Sequence, residues 1–253
     1  ELDVDLILLN DWPELRVDSI DRSKSRFALI EPEGWPWAWK RKEELLPDVA
    51  YASQPYGVLD APYDPNDLEH SVLDDGWHYL AGACYPPVHG YDPSVPRDLD
   101  FCLAANMYNF RPRLVDFLKS AGLSVFGGQV NIEEYERLHN RALTTVESHE
   151  GQIFLKWRHF EAPSMGCVLL ATQNILLDQL GFQPNIHYIR IDAVRVPPHP
   201  RRLEPDFQHV LMWIQALKKD PDFWSKVSLA GHDLVRNQHT YIHRAQQILQ
   251  DVV

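Results

Sequence analysis

The chain has 253 residues, 45% of them hydrophobic and 24% charged, and carries a formal net charge of −12. This is the composition of a globular protein with room for one large domain or two small lobes, and its acidity excludes nucleic-acid binding through a basic surface. No apolar run reaches the ~18 residues of a membrane span and no signal-peptide pattern opens the chain. Cys84, Cys102 and Cys167 lack the paired spacing of a zinc site, so buried free thiols and a cytoplasmic location are expected.

The N-terminal half reads as strands separated by loops. Asp5 to Asp11 and Phe27 to Ile30 are compact apolar runs, as expected of buried parallel strands. Asp11 and Glu31 fall at their carboxyl ends, where an α/β sheet binds its ligands, or they simply end the strands and cap the next element. Gly34-Trp35-Pro36-Trp37-Ala38-Trp39 alternates indoles, which in an extended segment point the same way. Trp35 and Trp37 then form a stacking platform for an acceptor, or an aromatic plug in the packing. The basic run Lys40-Arg41-Lys42 is followed at once by Glu43 and Glu44, and reads as a solvated helix face. Asp48 to Ala52 and Trp77 to Cys84 are further strands. Pro86 to Arg97, with four prolines, is the expected boundary, and His89 lies within it.

From Leu99 the alternation of strands and helices sharpens. Strands are expected at Leu99–Ala105, Leu123–Gly128, Ala142–Val146, from Cys167, and at Ile186–Ile191. Helices are expected through Leu114–Ala121 (capped by Gly122), Ile132–Arg141 and Leu176–Leu180 (closed by Gly181), followed by a helical tail from Phe207 to Leu249. This βαβ order predicts a parallel sheet with helices on both faces. Between the third of these strands and the fourth lies Trp157-Arg158-His159-Phe160-Glu161-Ala162-Pro163-Ser164-Met165-Gly166. Pro163 belongs in a helix's first turn, which places the start near Arg158 to Ala162. Free N–H groups at that start, beside Arg158 and Glu161, suit a diphosphate and an acid for a sugar hydroxyl.

Arg158, Phe160, Glu161 and Gly166 match an R-x-F-E-x-x-x-x-G pattern, and the stretch resembles the donor-site helix of the glycosyltransferases with the two-lobed GT-B fold. The resemblance is to the spore-maturation-protein-like group of the "group 1" glycosyltransferases. Four further segments occur in the same order as in that group: Leu103–Arg111, Val125–Gly128, Phe182–Tyr188 and His239–Ala245. Ala105 and Asn185 stand where that group carries glycine. Ile153 stands where the wider class carries the first of two glutamates spaced eight apart, the second being matched by Glu161.

The resemblance implies an α/β protein of two Rossmann-like lobes with a helical C-terminal tail. Residues 1–90 would be a shortened acceptor-side lobe, lacking the first strand or two, and 91–253 the nucleotide-sugar lobe. It implies a hexosyl transferase that uses a nucleotide-diphosphate sugar, with no cofactor and no metal. Glu161 would accept hydrogen bonds from the ribose. By their places after strands or at a helix start, Arg111 and either Arg158 or Lys156 are the candidates to neutralise the leaving group. Asn106, Tyr108, Gly127, Gly128, His149, Glu150, Ser164 and Gly166 would line the donor site, and His89, Asp11 and Glu31 are the options for a base. A non-catalytic sugar-nucleotide or glycan binder of the same fold is the alternative. A metal hydrolase, prompted by twelve histidines and by His239 and His243 one helical turn apart, lacks an H-E-x-x-H pattern and a third ligand. Acceptor, stereochemistry and oligomeric state are not encoded in any motif.

Overall fold

A computed structural model of the protein describes residues 5–10, 25–31, 49–52, 77–79, 81–148, 155–196 and 199–252. The chain divides into two compact units. The first comprises Glu1–Ala81, Gln152–Leu155 and Ile242–Val253, and the second Gly82–Gly151 and Lys156–Tyr241. The segment after Ala81 packs with the second unit because Cys84 N–H donates to the His239 carbonyl at 3.0 Å and the Ser164 hydroxyl donates to the His89 carbonyl at 2.7 Å. The end of the chain joins the first unit, where Arg244 Nε donates to the Ala81 carbonyl at 3.0 Å.

In the first unit β1 (Asp5–Asn10), β2 (Ser25–Glu31), β3 (Val49–Ala52) and β4 (Trp77–Tyr79) form a parallel sheet in sequential order. Helix α7 (Tyr241–Val252) lies almost wholly within this unit.

The second unit is built on β5 (Leu99–Ala104), β6 (Val125–Gly128), β7 (Ala142–Glu147), β8 (Val168–Thr172) and β9 (Ile189–Ile191). They form one parallel sheet in the order β6-β5-β7-β8-β9. Numbered from its own first strand this is the 2-1-3-4-5 order of a doubly wound fold. The winding reverses between β5 and β7, and such sheets bind ligands outside the carboxyl ends of those two strands.

Alternation along β5 sorts the helices. Phe101 and Leu103 point to one face, where Leu114, Val115 and Leu118 of α1 (Arg111–Ser120) and Val210, Ile214 and Leu217 of α5 (Phe207–Lys219) complete a fully apolar cluster. Each such fully buried side chain contributes about 1.5–3 kcal/mol over an exposed one. Cys102 and Ala104 point to the other face, against Leu138 of α2 (Ile132–Arg141) and Ala162 of α3 (Arg158–Ser164). Small residues on both sides there let α2 and α3 approach the sheet closely. A Cβ on Gly127 would lie 2.5 Å from Val115 Cγ2, so glycine at that position is what lets α1 pack onto β6.

The remaining elements are α4 (Ile175–Gln179), α6 (Pro221–Gln238) and an antiparallel hairpin, β10 (Ala193–Val196) with β11 (His199–Pro205). Asn131, Asp206 and Asp220 each accept from N–H groups in the first turn of the helix they precede, at α2, α5 and α6. The sequence suggests no element between Ile191 and Phe207, yet here Arg195 pairs Leu203 and Val194 pairs Glu204 before the register shifts at Val196.

Candidate functional site

Three basic side chains converge at the carboxyl ends of β5 and β7 on one buried acid. Glu147, the last residue of β7, is 1% exposed. Arg158, the first residue of α3, pairs with Glu147 Oε2 through Nη1 and donates from Nη2 to the Ala104 carbonyl at 3.2 Å. Lys156 Nζ lies 3.4 Å and Arg111 Nη2 3.8 Å from Glu147 Oε1. Arg111, at the start of α1, also donates to the Asn106 carbonyl at 2.9 Å and lies over the Tyr108 ring at 4.5 Å from its centroid. Asn106 and Tyr108 themselves are exposed in the turn after β5, where Asn109 adopts a φ of 58°.

Burial alone would raise the Glu147 pKa. Lys156 and Arg158, with smaller contributions from His159 and Arg111, outweigh it and hold the carboxyl at about 2. Burial likewise opposes the Arg158 charge, and Glu147, Tyr135 and Glu161 reverse that and keep the guanidinium firmly protonated. The cluster of one acid and three bases therefore has a surplus of positive charge facing the switch point. Sequence reading placed all three bases here and missed Glu147, which ends an otherwise uncharged strand as strand-ending acids commonly do.

One helical turn beyond Arg158, Glu161 is partly exposed and held from both sides. Tyr135 of α2 donates its hydroxyl to Glu161 Oε2 at 2.8 Å, and His89 Nε2 lies 3.7 Å from Oε1. His89 is buried, and its Nδ1 accepts the Tyr85 N–H at 3.0 Å. The neutral ring must then carry its proton on Nε2, facing Glu161. His89, expected in the first half, belongs to the second unit, and its accepting nitrogen already takes the Tyr85 N–H. Burial, offset in part by Glu161, keeps its pKa below the usual value.

Further corrections concern α3. The helix starts at Arg158, within the expected range, but Pro163 stands at its sixth position and not in its first turn. Trp157 already has helical dihedrals, and the N–H groups of His159, Phe160 and Glu161 bond the Lys156 and Trp157 carbonyls. Those N–H groups therefore do not form the expected open cradle, and side chains supply the positive charge instead. Ser164 and Gly166 lie at the other end of the helix, about 10 Å along its axis. Ser164 is fully buried, with its hydroxyl on the His89 carbonyl. Gly166, at φ +69°, leaves no room for a Cβ, which would meet Arg97 and Tyr91 at 2.7 Å. Both residues are held in packing contacts within the second unit.

Gly127 and Gly128 end β6, beside β5. The Gly128 carbonyl accepts the Ala105 N–H at 2.9 Å, and a Cβ there would meet only the Phe126 ring, at 3.7 Å. Glu31 is the last residue of β2 in the first unit. Asp11, Trp35, Trp37, His149 and Glu150 lie outside the described residues. His239, weighed as a metal ligand, is buried with Nε2 on the Leu180 carbonyl at 2.9 Å and is stacked on Phe182. Among the described residues no group of three or more His, Cys, Asp or Glu side chains is arranged to hold a metal, and no helix is long and apolar enough to cross a membrane.

The three cations gather at the switch point of a doubly wound parallel sheet, the place where such folds bind their ligands. Residues 97–250, more than half of the chain, match the family described as glycosyl transferase-like, and the chain belongs to that family. No curated protein has a matching sequence. Solved structures agree on the fold. Sucrose-phosphate synthase from Thermosynechococcus elongatus superposes with a TM-score of 0.60 at 12% identity, covering 88% of this chain and 72% of that one. Anabaena Alr3699/HepE, in complex with UDP and glucose, gives 0.58 at 10% identity, covering 88% and 71%. A glycosyltransferase from Rickettsia africae gives 0.55 at 10% identity, covering 88% and 69%. The fold is that of the GT-B glycosyltransferases, α/β with parallel sheets and C-terminal helices.

Proposed function

We propose that the protein transfers a sugar from a nucleoside-diphosphate donor to an acceptor, with the donor held by the second unit. The observation that carries this reading is the convergence of Arg111, Lys156 and Arg158 at the switch point around Glu147. A leaving nucleoside diphosphate develops negative charge as the glycosidic bond breaks, and fixed cations at that point stabilise it more than the ground state. Arg111 and Lys156 lie 3.8 and 3.4 Å from Glu147, farther than Arg158, and in this reading these two turn to a diphosphate while Arg158 stays paired. Glu161, one turn away and still partly open, takes the ribose hydroxyls in this reading. That UDP occupies the Anabaena neighbour supports the choice of donor class. The R-x-F-E pattern points within the family to its spore-maturation-protein-like branch.

Ile153, in place of the first of two glutamates, favours a second reading in which the chain binds a nucleotide sugar without turning it over. A thermal-shift panel of UDP-, GDP-, CMP- and dTDP-sugars, combined with a release assay for the free nucleotide, separates the readings. Stabilisation with release supports transfer or hydrolysis. Stabilisation without release supports binding alone. No shift with any donor overturns both.

A further inference from the structure

Glu161 is not a free carboxylate awaiting a ligand, because one of its oxygens is already the acceptor of a hydroxyl from a different helix. Tyr135, near the start of α2, reaches across 26 residues of sequence to donate to Glu161 Oε2 at 2.8 Å. The Tyr135 ring is fixed in turn. It lies against the His139 ring with centroids 4.1 Å apart, and the His89 ring meets it edge-on at 6.2 Å. Burial, reinforced by the Glu161 charge, pushes the phenol pKa well above its ordinary value, so the hydroxyl keeps its proton and always donates.

We infer that Tyr135 is a positioning residue that sets the Glu161 carboxylate for ribose recognition, and so fixes the preference for a ribonucleotide over a 2′-deoxyribonucleotide. This inference rests on the reading of Glu161 as the ribose acceptor. A carboxylate offers about four lone-pair directions. The Tyr135 hydroxyl takes one on Oε2, and the Nε2–H edge of His89 faces Oε1 at 3.7 Å. The Tyr135 hydrogen bond holds Oε2 on the protein side, which orients the carboxylate and leaves its other lone pairs for the ligand. Two adjacent hydroxyls on a ribose can use a pair of these, while a 2′-deoxyribose satisfies only half of it. Without the Tyr135 hydroxyl the carboxylate is free to turn and to satisfy a single hydroxyl equally well, so discrimination falls even where some affinity survives.

The test uses the full chain and calorimetric titration with UDP, GDP and the 2′-deoxy form of each, comparing wild type with Tyr135→Phe. The substitution removes only the hydroxyl and keeps the ring between His139 and His89. Tyr135→Met, which fills much of the same space with a flexible side chain, provides the comparison if the Phe variant does not fold. The expected result is a wild-type preference of about tenfold or more for the ribonucleotide, set by a hydrogen bond to a charged group, collapsing to about threefold or less in the variant. A wild-type preference that the variant retains overturns the role of Tyr135 and leaves the Glu161 reading intact. A wild type that binds both forms alike overturns the ribose reading itself. Failure to bind any nucleoside diphosphate overturns the proposed function as a whole.

Discussion

Arg158 and Glu147, eleven residues apart in the chain, form an ion pair sealed from solvent where β7 ends and α3 begins. The pair joins the sheet to the helix that carries Glu161. Neither partner can be removed without leaving the other charge buried.

Glu147→Gln is therefore expected to destabilise the protein by about 3–5 kcal/mol, the cost of a buried charge left unpaired. The exposed pair of Arg141 with Asp98 provides the control, since Arg141→Gln should cost under about 1 kcal/mol. Urea unfolding of the two variants measures both. Equal, small losses would show that water reaches Glu147.

The same residue, together with His139, sets the acid limit of stability. His139 is fully buried, and burial first, helped by Arg158, His89 and Arg97, lowers its pKa from 6.5 to about 3. The folded state then binds fewer protons than the unfolded chain below about pH 6.5, so stability is lost as the pH falls from there toward 3. Glu147, held at about 2 against an ordinary 4.5, adds a second loss that begins only below about pH 4.5. Each group contributes a slope of up to about 1.4 kcal/mol per pH unit. Unfolding midpoints measured from pH 8 to pH 4 should be flat at first and then fall, and His139→Gln should make the decline between pH 6.5 and 4.5 shallower. An unchanged slope would contradict a neutral buried His139.

Gly127→Ala places a Cβ 2.5 Å from Val115 Cγ2, and overpacking of this kind costs about 1–3 kcal/mol. Adding Val115→Ala removes the clash, so the double variant is expected to be more stable than Gly127→Ala alone. Strictly additive losses would place the cost in the backbone instead of the packing of α1 on β6.

Much of the second unit was legible in its sequence because local chemistry and tertiary packing agree there. Ile132–Arg141 is helical as its spacing predicts, and Gly122 and Gly181 lie just past their helices at φ +80° and +81°. The hairpin of β10 and β11 was not legible, since Pro200, Pro205 and the arginines break strand alternation and the pairing itself holds the segment. Within the site, Arg111, Lys156 and Arg158 were recognisable from their places after strands. Glu147 and Tyr135 were not. Each resembles an ordinary residue on its own element, and each gains its meaning from a partner that only the folded sheet brings near. The start of α3 was bracketed through Pro163, but whether its N–H groups were free depended on the conformation of Trp157, which no spacing rule fixes.

The central claim is that, of the three cations around Glu147, Lys156 and Arg111 turn to a diphosphate while Arg158 stays paired. Lys156 is the residue on which to test it, because it is the most exposed of the three and supports the fold least. Titration of UDP and GDP into wild type and Lys156→Met, at low and at high salt, measures the claim directly. The predicted result is binding of at least one nucleoside diphosphate, weakened about tenfold by the substitution and with a smaller salt dependence in the variant. Equal affinity and equal salt dependence in the two proteins would contradict it.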